Sequence, residues 1–334
     1  MAPSLGFSRG VLTSACFVGI DGGGSRTRVA VVDGGGHLRG FAESGGCNPE
    51  WLPQEACRDH LLGAVRDAFA DVGHERRAVR GVIAAIAGVQ RPEDGRWVRD
   101  ALASVGWTSA VTCVNDRVAA QRGSLLGDPG VVAIAGTGMV TSAVTEIGRE
   151  VLTWQLGSGG APGAVALVRQ FLARVGAEED GADDAPLVEA MFASLGVGDR
   201  AALREALWQG KARPSELAAL APLVTAAAER GVPLAGAVCA DAVQMAVRGI
   251  RLVGYCVRSE RIPVVLIGGV IRSGVMRRGI EAGLTVPGSR LELREPVLPP
   301  VGGAAVLCLE GLVGPVRSDV AERLGAELAA RCPA

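Results

Sequence analysis

A triple glycine sits inside the stretch FVGIDGGGSRTRVAVVDGGG, residues 17–36. Backbone without side chains lets a bulky anion approach N–H groups closely, so Gly22, Gly23 and Gly24 point to a nucleotide phosphate. A dinucleotide-binding turn needs a helix directly after its glycines. Here Arg28, Val29, Ala30, Val31 and Val32 follow, a β-branched run that reads as a strand and ends at Asp33 before another glycine triplet. The loop is therefore predicted as a hairpin tip between two strands. No Lys-Ser/Thr pair follows the glycines, which also excludes a Walker loop. The pattern returns at residues 130–144, GVVAIAGTGMVTSAV, where Gly136, Thr137 and Gly138 make a second tip between apolar runs. A different chemistry is available at Asn115-Asp116, which closes the short run 111–114. Open α/β sheets place ligands at the C-terminal ends of their strands, and a carboxylate there can take the proton of an attacking hydroxyl. The same pair also reads as a turn and helix N-cap.

The elements that must hold these residues follow from periodicity. Further strands are predicted at 38–43, at 79–87 ending in Ala87-Gly88, and at 111–114. A helix over 53–72 has Ala56, Leu61, Leu62, Val65 and Phe69 at helical spacing, and others are predicted at 97–105 and 116–126. After the second hairpin comes the glycine-rich segment WQLGSGGAPGA. Helices then run from 165 onward, interrupted by an acidic loop at 176–186, with long ones at 217–230 and 234–259. A buried strand at 263–267 precedes Gly268-Gly269; a helix at 279–284, a strand at 292–297, a helix at 304–312 and a helical tail complete the reading. Two domains are expected, 1–126 and 127–334, each opening with strand, glycine tip and strand. Trp51, Trp97, Trp107 and Trp208 read as packing residues.

The 334 residues, 49% of them hydrophobic, suffice for two cores. A formal net charge of −1 argues against nucleic acid or an anionic membrane as partner. Lys211 is the only lysine among abundant arginines, the codon bias of a GC-rich genome. No apolar run reaches membrane-spanning length, and residues 1–10 lack the cationic start and apolar stretch of a leader, so a cytoplasmic protein is expected. The eight cysteines form no CxxC pair and read as buried free thiols rather than a disulfide framework, a zinc site or an iron–sulfur site.

Taken in order, IDGGGSRT, CNP, an apolar strand ending in AG, VND, IAGTG, LIGGVIRS and PPVGGAAVL resemble the BadF/BadG/BcrA/BcrD-type ATPase family. Within it they are similar to the N-acetylglucosamine kinase-like branch of the actin/hexokinase/Hsp70 superfamily. The resemblance spans residues 18–312. It implies an α/β fold of two actin-like ATPase (ribonuclease H-like) domains, with mixed central sheets around an ATP cleft. It also implies ATP and Mg²⁺ as cofactors and a homodimer. Carried over onto matching positions, it assigns Asp21, Gly22, Gly23, Gly24, Ser25 and Thr27 to the first phosphate loop. Gly136, Thr137 and Gly138 fall to the second, and Gly268 and Gly269 to adenosine. Asn48, Gly88, Asn115 and Gly160 fall to the acceptor sugar, and Asp116 to catalysis. Phosphoryl transfer asks mainly for positioning and charge neutralisation. With no lysine near either loop, that charge falls to Mg²⁺, which Asp21 can hold through water. Arg26 is either an electrostatic helper or a solvent-facing side chain. Asn48, preceding Pro49, is a turn residue or a sugar contact; Ala87-Gly88 is a tight strand end or a backbone contact to the acceptor.

Two departures bear on the acceptor. Where the kinase-like branch reads WGxxxGDEGS, this chain has residues 154–164, WQLGSGGAPGA, with Ala161-Pro162 in place of the acidic pair. Gly231-Val232 stands where the family often has Gly-Asp. The expected activity is an ATP-dependent kinase acting on a hydroxyl of a sugar, an amino sugar such as N-acetylglucosamine or glucosamine, or a cyclitol. The alternatives are a non-kinase ATPase of the dehydratase-activator type and a catalytically silent sugar- or nucleotide-binding regulator.

Overall fold

The computed structural model describes residues 15–70, 72, 79–107, 111–159 and 162–331; the readings made on residues 1–10, Gly160, Ala161 and Cys332 lie outside the described residues. In the first half of the chain the opening hairpin forms as expected. Strand β1 (Cys16–Gly22) runs antiparallel to β2 (Arg26–Asp33), which pairs antiparallel with β3 (Leu38–Gly45). On the other side of β1, β4 (Val79–Ile86) and β5 (Val111–Val114) join in parallel, giving the order β3-β2-β1-β4-β5. Helices α1 (Gln54–Ala68), α2 (Arg96–Ala103) and α3 (Asp116–Leu125) fill the connections. β1 is covered on both faces, which is why its sequence is a nearly unbroken apolar run. Val18 and Ile20 share one core with Cys57, Leu61, Val65 and Phe69, from α1 and its C-terminal end.

The second unit, residues 128–294, repeats this plan strand for strand. β6 (Gly130–Ala135), β7 (Met139–Val144) and β8 (Glu150–Leu152) are antiparallel neighbours, while β9 (Ile262–Ile267) and β10 (Leu291–Arg294) extend the other side in parallel. The order β8-β7-β6-β9-β10 is that of the first sheet. Its helices are α4 (Ala164–Gly176), α5 (Ala185–Leu195), α6 (Arg200–Trp208), α7 (Pro214–Glu229), α8 (Pro233–Gly254) and α9 (Gly274–Leu284).

The chain then returns. Helices α10 (Pro300–Val313) and α11 (Ser318–Arg331) belong with residues 1–127, so the last forty residues depart from the expected partition into 1–126 and 127–334. The cause lies in the first sheet. Phe17, Ala30 and Val32 form a second apolar face, which Val301, Ala305, Leu324 and Leu328 cover. Close approach of α10 requires bare backbone on the strands. A methyl on Gly19 would sit 2.6 Å from the Val301 carbonyl oxygen, and one on Gly81 would sit 2.6 Å from Leu312 Cδ1.

Trp97 and Trp107 are buried as expected, and Trp51 is half-buried. Trp208 is not a packing residue: it is 82% exposed. α6 buries only Leu203, and five positions further on the helix has turned away by roughly 140°. Cys47, Cys57, Cys239 and Cys308 are buried free thiols and Cys16 is buried, whereas Cys113 and Cys256 are only partly buried, short of the expectation. No single helix among the described residues is long and apolar enough to cross a membrane.

Candidate functional site

Parallel pairing sets Asp21 opposite Ala85 and Ala85 opposite Val114. Neighbouring strands lie about 4.8 Å apart, so the C-terminal ends of β1, β4 and β5 form one short edge. Asp21 stands at one end of it and Asn115-Asp116 just past the other. Asn115 is the N-cap of α3: its Oδ1 accepts from the Arg117 N–H at 3.2 Å and its Nδ2 donates to the Val89 carbonyl at 3.1 Å. Asp116 is the first helical residue, and its Oδ1 accepts from the same Arg117 N–H at 3.0 Å. The two sequence readings of the dipeptide are thus divided between its members. Asn115 caps α3 and ties it to Val89 in the turn after β4, leaving Asp116 as the carboxylate at the helix start. PPVGGAAVL supports this arrangement through packing. A methyl on Gly303 would collide with the Ala119 carbonyl and approach Gly123 N to 2.5 Å, so α10 can lie directly on α3.

The first glycine tip is laced to two other loops. Gly22 is enclosed by Cys47 Sγ and Ile86 Cδ1, leaving no room for a Cβ. The Cys47 N–H donates to the Gly23 carbonyl at 2.9 Å, and the Ala87 N–H to the Gly22 carbonyl at 2.7 Å. Gly46 packs face to face with Gly24. Two expectations change here. The Gly23 N–H is already given to the Arg26 carbonyl within the hairpin, at 2.8 Å, so it is not a donor for a phosphate. Thr27 is fully buried and its hydroxyl donates to the Gly45 carbonyl at 2.7 Å, so it fastens the hairpin to β3 instead of presenting a hydroxyl to a ligand. Arg26 is exposed beside Glu43 at 3.5 Å, the solvent-facing alternative.

Asn48 is buried and forms the turn anticipated for it, its Oδ1 accepting from the Glu50 N–H at 2.9 Å. Gly88 has φ +83°, and a Cβ there would lie 2.7 Å from Asn48 Oδ1, so the two residues interlock. Two neighbours were not singled out from sequence. His60 on α1 bonds the Gly46 carbonyl through Nδ1 at 2.7 Å and props the Gly45-Gly46 bend. Glu50 extends past Gly88, its Cγ 3.4 Å from where a Cβ on that glycine would be. A helix histidine and a loop glutamate at the surface carry no signal of their own.

Electrostatics make this edge unusual. Burial, and next the charge of Asp116, push the Asp21 carboxyl up from its ordinary 3.8 to about 7; Arg28 opposes the rise and Glu43 adds to it. Burial also raises Asp116, against its hydrogen bond from the Arg117 N–H, with the Glu50 charge a smaller contributor. Two neighbouring carboxylates that resist ionisation together are a place that favours a cation. Among the described residues no three His, Cys, Asp or Glu side chains converge. That donor set fits Mg²⁺, which keeps most of its waters and takes one or two carboxylates plus phosphate oxygens.

In the second unit the matching tip rests on the start of α4. The Ala164 and Val165 N–H groups donate to the Gly136 and Thr137 carbonyls at 2.8 and 3.2 Å, and Gly163 packs against the Gly138 carbonyl. Gly268, at φ +105°, lies against Ala135 at the end of β6, while Gly269 borders open space. The unit therefore gathers Gly136, Thr137, Gly138, Gly268 and Gly269 at the ends of two adjacent parallel strands, where α/β sheets bind ligands.

The model of the BadF/BadG/BcrA/BcrD ATPase family matches residues 18–308. The chain belongs to this family. As a member of an ATPase family the protein uses ATP. An N-acetylmuramic acid/N-acetylglucosamine kinase of Clostridium acetobutylicum is 27% identical to this ATPase over 134 residues, 40% of this chain and 43% of that protein. Among solved structures, a Chromobacterium violaceum protein provisionally named an N-acetylglucosamine kinase covers 89% of this chain and 99% of its own, with 24% identity and a TM-score of 0.69. A glucokinase of the ROK family from Streptomyces griseus, solved with glucose and AMPPNP, covers 89% and 100%, with 19% identity and a TM-score of 0.58. At such identities these structures speak to the fold, and they agree with the duplicated mixed sheets of the ATPase.

Proposed function

We propose that this ATPase is a kinase that transfers the γ-phosphate of ATP to a hydroxyl of a sugar, amino sugar or cyclitol. The observation that carries the proposal is Asp116: a carboxylate at the C-terminal edge of a parallel sheet, held by a capped helix start and shifted upward by burial. A base works best when its pKa approaches the working pH, and burial moves Asp116 in that direction. In the reaction the acceptor oxygen forms a bond to the γ-phosphorus as the bond to the β,γ-bridging oxygen breaks. ADP leaves, and the hydroxyl proton passes to Asp116. In the first unit the backbone of Gly24 and Ser25 would meet phosphate oxygens, the Gly23 N–H being spent within the hairpin. In the second unit residues 136–138 would do so, and Gly268-Gly269 leaves room for a nucleoside. Bound Mg²⁺ would neutralise phosphate charge, with Asp21 holding it through water. The kinase relative from C. acetobutylicum supports the same reading.

Purified protein with Mg-ATP and a panel of sugars and cyclitols should release ADP in an acceptor-dependent way and yield phosphorylated product. Asp116→Asn should lower kcat about 100-fold or more with nucleotide affinity little changed. Full activity in that variant removes the general-base assignment, and ADP release independent of acceptor removes the kinase reading.

A further inference from the structure

Glu50 is exposed, yet its backbone is fixed. The Asn48 carboxamide holds its N–H at 2.9 Å, and its side chain rests over Gly88. Its charge reaches Asp116. Among the described residues no cation pairs with its carboxylate, whereas Glu43 is occupied by Arg28 at 2.7 Å and by Arg26 at 3.5 Å. Asn48 and Gly88, which the family resemblance assigns to the acceptor, and the proposed base Asp116 therefore share their surroundings with this carboxylate. The acidic pair expected at 161–162 is absent from the sequence.

Resting on the kinase reading, we propose that Glu50 is a specificity residue, selecting acceptors that carry a protonated amine over neutral or N-acylated counterparts. An ammonium beside Glu50 gains a charge-assisted partner. A neutral acceptor must strip water from the carboxylate without replacing the charge, and discrimination is the difference between the two. Because Glu50 keeps contact with solvent, a tenfold preference is the expected scale, which corresponds to about 1.4 kcal/mol.

The test compares kcat/KM for glucosamine, N-acetylglucosamine and glucose in the wild type, Glu50→Gln and Glu50→Asp, with thermal melts confirming that the variants fold. The wild type should favour glucosamine. Glu50→Gln should reduce that preference about tenfold through KM for the amine alone, and Glu50→Asp should retain part of it. An unchanged ratio, or an equal loss for all three sugars, overturns the assignment. If the wild type turns over none of them, the kinase reading is decided separately by the wider panel of sugars and cyclitols. Titration of glucosamine into protein holding a non-hydrolysable ATP analogue then decides the role of Glu50. Roughly tenfold weaker binding in Glu50→Gln supports it; equal binding in both, or none to the wild type, overturns it.

Discussion

Replacing Asp21 by Asn should stabilise the protein, and by an amount that grows with pH. In the folded state Asp21 is half ionised only at about pH 7, whereas an ordinary aspartate reaches that point at 3.8. A carboxyl with a raised folded pKa contributes stability below its unfolded pKa and loses it as pH rises through the folded value. The cost therefore accumulates between roughly pH 4 and 7 and levels off above. Three pKa units at 1.36 kcal/mol each set a ceiling of about 4 kcal/mol. Asp21 keeps some contact with water, and halving the ceiling for that leaves about 2 kcal/mol. For a folding unit of this size that corresponds to about 4–8 °C in Tm. The assay is thermal unfolding of wild type and Asp21→Asn without Mg²⁺, at intervals from pH 4.5 to pH 8.5. The variant's advantage should be small at the acid end, open through neutrality and then plateau. A gap that stays constant with pH, or closes as pH rises, refutes a carboxyl whose ionisation is opposed by burial and by Asp116.

Two further outcomes follow from the packing of the site. Asn115→Ala removes the α3 cap and leaves the Val89 carbonyl without its donor; it should cost about 1 kcal/mol in thermal or urea unfolding, and it should lower kcat because Asp116 loses its neighbour's anchor. Gly46→Ala would drive a methyl into the Gly24 carbonyl and should destabilise by about 1–3 kcal/mol; nucleotide titration should show weakened binding in whatever fraction still folds.

Much of the frame was legible without coordinates because it is local. Alternation and β-branched runs placed both hairpins, and helical spacing found α1, α3, α7 and α8. The glycine tips were recognisable because only bare backbone suits such bends. The use of each glycine was not. Gly22 and Gly46 are bare to let Cys47 and Gly24 approach, and the Gly23 N–H is consumed inside the hairpin. Thr27 looked like part of a phosphate loop from its place in the motif, but β2 turns it inward. Trp208 shows the same limit: residue type suggested packing, and the helix phase exposed it.

What the residues determined by themselves is the inventory: two repeated strand–tip–strand openings, an aspartate beside the first tip, and a second aspartate closing a later strand. These depend on interactions between residues a few positions apart, which a sequence window contains. Tertiary structure alone decided that β1, β4 and β5 lie side by side, bringing Asp21 within electrostatic reach of Asp116. It alone decided that α10 and α11 return across the chain to cover the first sheet. Parallel pairing and helix docking are set by the fit of whole faces between distant segments, so no local pattern encodes which face meets which.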